Sequence, residues 1–195
     1  MGSAASLVPL LLAAAITPGP NNFVMLRIGL ERGLRAVPGP ATGVVLGGLG
    51  LLLASRAGVA LALAAHPWLP ALTRVCGAGC VAWLGVRLIR ESFGGPRAES
   101  PAAGPGVLGM FLFQFINPKA WLVVLTIAAA GCGARPVSLA SLVVLFVVIP
   151  YVCLALWAGG GSFAAGLLRE PQARAWLDRA SGALLALSAL LLLRP

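Results

Sequence analysis

The sequence predicts an all-α membrane protein with six transmembrane helices, built as two inverted three-helix repeats. Composition is the first observation behind this. The 195 residues are 59% hydrophobic and 10% charged, with a mean hydropathy of +0.98. Soluble domains carry about 25% charged residues. Length is the second: the apolar runs exceed the roughly 20 residues needed to cross a bilayer. The third is a pair of proline motifs, Thr17-Pro18-Gly19-Pro20-Asn21-Asn22 and Asn117-Pro118-Lys119-Ala120, in the middle of the first and fourth runs. Barrel strands would instead alternate in polarity over about ten residues.

Taken in order, the first span covers about 5–28. Its start resembles a signal peptide but lacks a basic region, and the apolar character resumes past Pro20, so it is expected to be the outer half of a transmembrane helix. The second span covers about 37–64, where Gly43 and Gly47 form a small-xxx-small pair suited to close helix approach. The third covers about 69–89, with Trp68 and Trp83 as interfacial anchors. A polar linker, about 92–105, divides one transmembrane domain (1–195) into halves of about 1–91 and 106–195. The fourth span covers about 106–130 and the fifth about 136–158. Gly159-Gly160-Gly161 is then expected to open a loop carrying Arg169, Glu170, Arg174, Asp178 and Arg179. The sixth covers about 177–193.

Charge sets the orientation. The loops after spans one, three and five hold nine arginines, against Arg74, Arg135 and Arg194 on the other side. By the positive-inside rule this places both termini outside the cytoplasm. The formal charge of +9 therefore marks topology and not a nucleic-acid partner. One lysine against thirteen arginines suits a GC-rich bacterial genome. Three spans per half give the halves opposite topology, the pattern of an inverted repeat.

Proline removes a backbone donor and clashes with the preceding turn. In a bilayer, the freed groups need protein or a watery cavity to satisfy them. Pro20 and Pro118 each suit the first position of a new helix, and Thr17 and Asn117 are placed to cap its free donors. Each new helix then turns a partly positive N-terminus toward the midplane. With Lys119 beside them, two such ends would attract a carboxylate. The candidate binding residues are thus Thr17, Pro18, Gly19, Pro20, Asn21, Asn22, Asn117, Pro118 and Lys119. One kink alone reads as structural; two matched breaks with amides and the only lysine point to a site. Gln114, one turn before the second break, is expected to matter less.

Arg56 is read as snorkelling to the outer interface, with a gate or a substrate contact as the alternative. His66 is read as an interfacial loop residue, and Tyr151 as either cavity-lining or packing. Cys76, Cys80, Cys132 and Cys153 are read as small packing residues. No metal-ligand or nucleophile constellation is present, so neither an enzyme nor a cofactor is expected.

The segment Ile16 to Asn22, the Gly29-Leu30-Glu31-Arg32-Gly33 turn, Gly77-Ala78 to Leu84-Gly85, and Phe115-Ile116-Asn117-Pro118-Lys119-Ala120 together resemble the LysE/RhtB amino-acid exporters over nearly the whole chain. The resemblance implies a bacterial inner-membrane exporter of amino acids or close derivatives, working by proton-linked antiport. A positive cavity disfavours cationic cargo, so neutral amino acids are expected. Many relatives carry an acid near the position of Gly48, whereas every Asp and Glu here is assigned to a cytoplasmic loop. The other readings are a membrane thiol-redox carrier of the CcdA type, which needs paired cysteines in spans one and four, and a structural membrane protein without transport. A homodimer is compatible with the sequence.

Overall fold

The structure is a computed structural model describing residues 4–59, 65–66, 68–93, 106–130, 137–167 and 171–193. The described residues are helical without strands. The helices are α1 (Ala4–Ile16), α2 (Pro20–Arg32), α3 (Pro38–Ala54), α4 (Trp68–Phe93), α5 (Val107–Ile116), α6 (Pro118–Ala130), α7 (Leu139–Leu167) and α8 (Pro171–Leu193).

Both proline motifs break their helices. α1 and α2 meet at 57°, and α5 and α6 at 74°. Pro20 and Pro118 each open the second helix of their pair, where the missing N–H would have had no helical partner. Two segments, Leu34–Gly58 and Leu139–Leu167, are single stretches long and apolar enough to cross a membrane, and each bent pair would make one more. On α7 the residues Val144, Val148, Val152 and Leu156 are all exposed at i, i+4 spacing, an apolar stripe facing outward.

Packing runs in pairs. α2 lies along α7, α3 along α5, and α4 along α8, while α1 also rests on α7. Two apolar clusters join the bent helices to α3 and α7. One holds Leu11, Leu52, Val124 and Phe146; the other holds Met25, Val44, Met110 and Leu154. A third, with Phe23, Val81 and Leu185, ties α4 and α8 to α2.

Several expected boundaries are corrected. Gly159-Gly160-Gly161 lies inside α7, not in a loop. Glycine here serves close approach: a Cβ at Gly161 would lie 1.9 Å from the Leu26 carbonyl oxygen, and one at Gly29 1.9 Å from that of Ala158. Three glycines read as a breaker in water, but here the run stays helical and Gly161 lets two helix backbones touch. The sixth helix starts at Pro171, six residues before the expected start, so Arg174, Asp178 and Arg179 are helical. Proline at the first position begins that helix without loss of a bond.

Asp178 is buried in α8. Glu31 lies in α2 and Glu91 in α4, so the assignment of all acids to loops does not hold. Ser92 and Phe93 end α4 and do not belong to the linker, of which 94–105 lies outside the described residues. The second span runs through a wide π turn over Ser55–Val59, and its expected last residues, 60–64, also lie outside. Cys153 is buried and Cys80 half-buried, but Cys76 is exposed, so packing burial fails there. Helical spacing fixes which residues share a face, not whether another helix covers it. Cys132 is outside the described residues.

Candidate functional site at the two helix breaks

A helix end leaves its last carbonyls and first N–H groups without helical partners. At the first break, side chains from three other helices take up the carbonyls of α1. The Asn22 amide donates to Ala15 O at 2.9 Å and to Thr17 O at 2.8 Å. The Trp157 indole donates to Ile16 O at 3.1 Å. The Lys119 ammonium, from the second break, donates to Thr17 O. Lys119 therefore sits at the partly negative end of α1, a favourable place for a cation. Thr17 does not cap α2 as expected: its hydroxyl turns back to Ala13 O, and Gly19 takes the cap position without a side-chain bond. Threonine often bonds its own preceding turn in this way.

The second break is closed differently. Asn117 Oδ1 accepts from the Lys119 backbone N–H at 3.1 Å, which is the expected cap. The Trp121 indole donates to Phe115 O at 2.8 Å. An indole thus satisfies a freed carbonyl at each break.

Gln114 joins the two breaks. Its Nε2 donates to Asn21 Oδ1 at 3.1 Å, and the Asn21 Nδ2 returns a bond to Gln114 Oε1 at 2.9 Å. Asn117 Nδ2 approaches the same Oε1 at 3.4 Å. Gln114 and Asn117 are each only 1% exposed. Gln114, expected to matter less, is at the centre of the amide network. The signal was present in the sequence as a polar amide within the apolar run Phe111 to Ile116.

A cavity of about 80 Å³ opens at this junction, where the first two apolar clusters meet. Of the nine candidates, Gly19, Asn21, Asn22, Asn117 and Lys119 line it, whereas Thr17, Pro18, Pro20 and Pro118 shape the breaks without lining it. Among the described residues, Lys119 is its one ionisable lining side chain. The remaining wall is mostly apolar, including Leu11, Val44, Val123 and Phe146. Gly48 also lines it, and a Cβ there would lie 2.5 Å from the Phe146 ring. The ring therefore occupies the space that an acid at that position would need. The site thus offers amide and ammonium donors, carbonyl acceptors and an apolar wall within one small volume.

The remaining residues singled out above lie elsewhere. Arg56 is exposed on the π turn. His66 is exposed, with its ring against Trp68. Tyr151 is half-buried against the second cluster and does not line the cavity.

Gln114→Ala is expected to leave Asn21 without its side-chain partner and to open the junction. Losing a buried bonded amide pair should destabilise the protein by about 1–3 kcal/mol, read as a lower unfolding temperature in detergent.

A family model described as "LysE type translocator" matches residues 12–195. A leucine efflux protein of Klebsiella pneumoniae is 30% identical over 111 residues, covering 55% of this chain and 52% of its own length. A leucine efflux protein of an Enterobacter species is 34% identical over 74 residues, 38% of this chain and 35% of that protein. An uncharacterized membrane protein of Pseudomonas aeruginosa is 37% identical over 78 residues, 40% of this chain and 36% of that protein. These matches span about half the length of the curated relatives or less. No solved structure matches. With its apolar helices and a match over most of its length, the chain belongs to the family of LysE type translocators, multi-pass membrane transporters and not enzymes.

Proposed function

We propose that this chain exports neutral amino acids, leucine among them, across the bacterial plasma membrane, and that the junction of the two breaks is the binding site. The cavity lining carries this reading: one ammonium and three asparagines beside an apolar wall. Lys119, Asn21, Asn22 and Asn117, with the N-termini of α2 and α6, take the substrate carboxylate. Carbonyl and amide oxygens at the junction take the ammonium, and the apolar wall takes the side chain. A cationic side chain would meet Lys119 as a like charge. The names of the Klebsiella and Enterobacter relatives support leucine as cargo.

The arrangement is that of six spans in two inverted halves, with spans one and four broken. The helix pairing supports it. Span one lies on span five, span two on span four, and span three on span six. Exchanging the halves turns the first two pairs into each other and the third into itself, as a two-fold relation requires. Cargo then passes as one half rocks against the other, which requires the Asn21–Gln114 bridge to part. Inward movement of protons drives export in this reading. Lys119 is the ionisable group available for that exchange, because the ring of Phe146 takes the space beside Gly48.

Both termini lie outside the cytoplasm in this arrangement, so a reporter fused at Pro195 is expected to read as external. A cytoplasmic signal there would mean a miscalled span or the opposite orientation. The function itself is tested by efflux of a panel of labelled amino acids from cells making this protein. Leucine and other neutral amino acids should leave faster than from control cells, and arginine and lysine should not. An unchanged panel would overturn the reading.

A further inference from the structure

The cavity at the two breaks is small. An apolar cavity of about 150 Å³ takes a benzene ring, and this one measures about 80 Å³. A phenyl ring therefore has no room there beside the charged end of an amino acid. Among the described residues, Phe146 is the one aromatic side chain of the lining. Pro150 and Leu154 follow it at i, i+4 spacing on the same face of α7, and they line the cavity too.

The Phe146 ring is held on the sides away from the cavity. Toward α3 it reaches Gly48, where a Cβ would lie 2.5 Å from Cε1 and 3.1 Å from Cζ. Glycine is the smallest residue, so α3 can yield no further room. Phe146 also packs in the first cluster with Leu11, Leu52 and Leu142, each 2% exposed or less. Such close-packed interiors give way little. The open volume next to the ring is the cavity itself. The amide bridge meets α3 elsewhere. A Cβ at Gly47 would lie 2.7 Å from Gln114 Cγ, whereas Gly48 faces the ring. Successive residues of a helix point about 100° apart. Parting of the Asn21–Gln114 bridge thus widens the amide side of the cavity and leaves the ring side as it is.

We infer that Phe146 sets the upper size limit of the cargo side chain, a step that rests on the function proposed above and narrows it to aliphatic amino acids. The charged end of the cargo lies among the amides and Lys119, and its side chain points at the ring. A chain of leucine size closes against the ring, whereas an aromatic one overlaps it. In an apolar pocket one surplus methylene already changes discrimination about tenfold or more.

The test uses the whole protein in sealed vesicles, with labelled leucine, phenylalanine and alanine, and reads ratios of flux. A ratio does not depend on the amount of active protein. The unmodified protein is expected to favour leucine over phenylalanine by about tenfold or more. Phe146→Leu opens the ring side and should bring phenylalanine to within about threefold of leucine. Leu142→Val loosens the same cluster one turn earlier without touching the lining, so it should keep the unmodified ratio. Gly48→Ala pushes the ring toward the open volume and should lower leucine flux relative to alanine flux about tenfold. Phenylalanine moved as fast as leucine by the unmodified protein overturns the size limit. An unchanged ratio in Phe146→Leu overturns the role of Phe146, as does an equal change in Leu142→Val. If Phe146→Leu moves neither amino acid, Gly48→Ala is the deciding variant, and an unchanged leucine-to-alanine ratio there overturns the role. If the unmodified protein moves none of the three amino acids, the proposed function fails, and the size limit with it. Leucine flux without preference over phenylalanine removes the size limit alone.

Discussion

Lys119→Ala is expected to reduce leucine flux at low substrate roughly tenfold to a hundredfold. A hydrogen bond to an ionised group is worth about 1.5–3 kcal/mol, and each 1.4 kcal/mol is about tenfold in binding. Two contributions add in the same direction. The substrate carboxylate loses its one charged donor in the cavity, and Thr17 O loses the ammonium that closes the end of α1. Lys119→Arg should recover only part of the activity, because a planar guanidinium presents its donors differently from a compact ammonium. A Cβ at Gly19 would lie only 3.0 Å from the Lys119 side chain, so the space for a longer group is already tight. The half-saturation concentration separates the two contributions. Loss of the carboxylate contact raises it, while a purely structural loss lowers the amount of active protein and leaves it unchanged.

The second large effect is on stability. Gly161→Ala is expected to destabilise the protein by about 3 kcal/mol, at the upper end for overpacked sites. The added Cβ would sit 1.9 Å from the Leu26 carbonyl oxygen, and a backbone atom cannot rotate away. Helices α2 and α7 must then separate, which also displaces Asn21 and Asn22 at the start of α2. Gly159→Ala, two residues earlier in the same helix, is the control. A Cβ there meets nothing within 4 Å, and alanine is the better helix former by about 0.5–1 kcal/mol. Thermal unfolding in detergent should therefore move down for Gly161→Ala and slightly up for Gly159→Ala. Equal shifts would mean that α2 and α7 are not in backbone contact.

What was legible in the sequence was what prolines and apolar runs dictate locally. Both helix breaks, the helix starts at Pro20 and Pro118, and the Asn117 cap follow from side-chain chemistry within a few residues. Gly43 and Gly47 were legible for the same reason, and Cβ atoms there would lie 2.2 Å and 2.6 Å from carbonyl oxygens of α5. The failures came where a distant partner changes what a residue does. Gly159 to Gly161 continue a helix, and Gly161 is where α2 lies against it. Thr17 has its own turn to bond, and Asn22 and Lys119 from elsewhere take the carbonyls that it leaves. Gln114 looked like a neutral control because its partner Asn21 lies 93 residues away in the chain. Asp178 could be buried only once α8 was extended backward to Pro171 and laid along α4.

The most direct measurement is leucine flux through the purified protein in sealed vesicles, compared with Lys119→Ala, Asn21→Ala and Asn117→Ala at matched protein levels. The unmodified protein should move labelled leucine well above empty vesicles. Each variant should raise the half-saturation concentration, and the Asn21/Asn117 double variant should differ from the sum of the single effects, because both touch one solute. Leucine flux with a half-saturation concentration unmoved by all three substitutions would contradict a binding site at the two helix breaks.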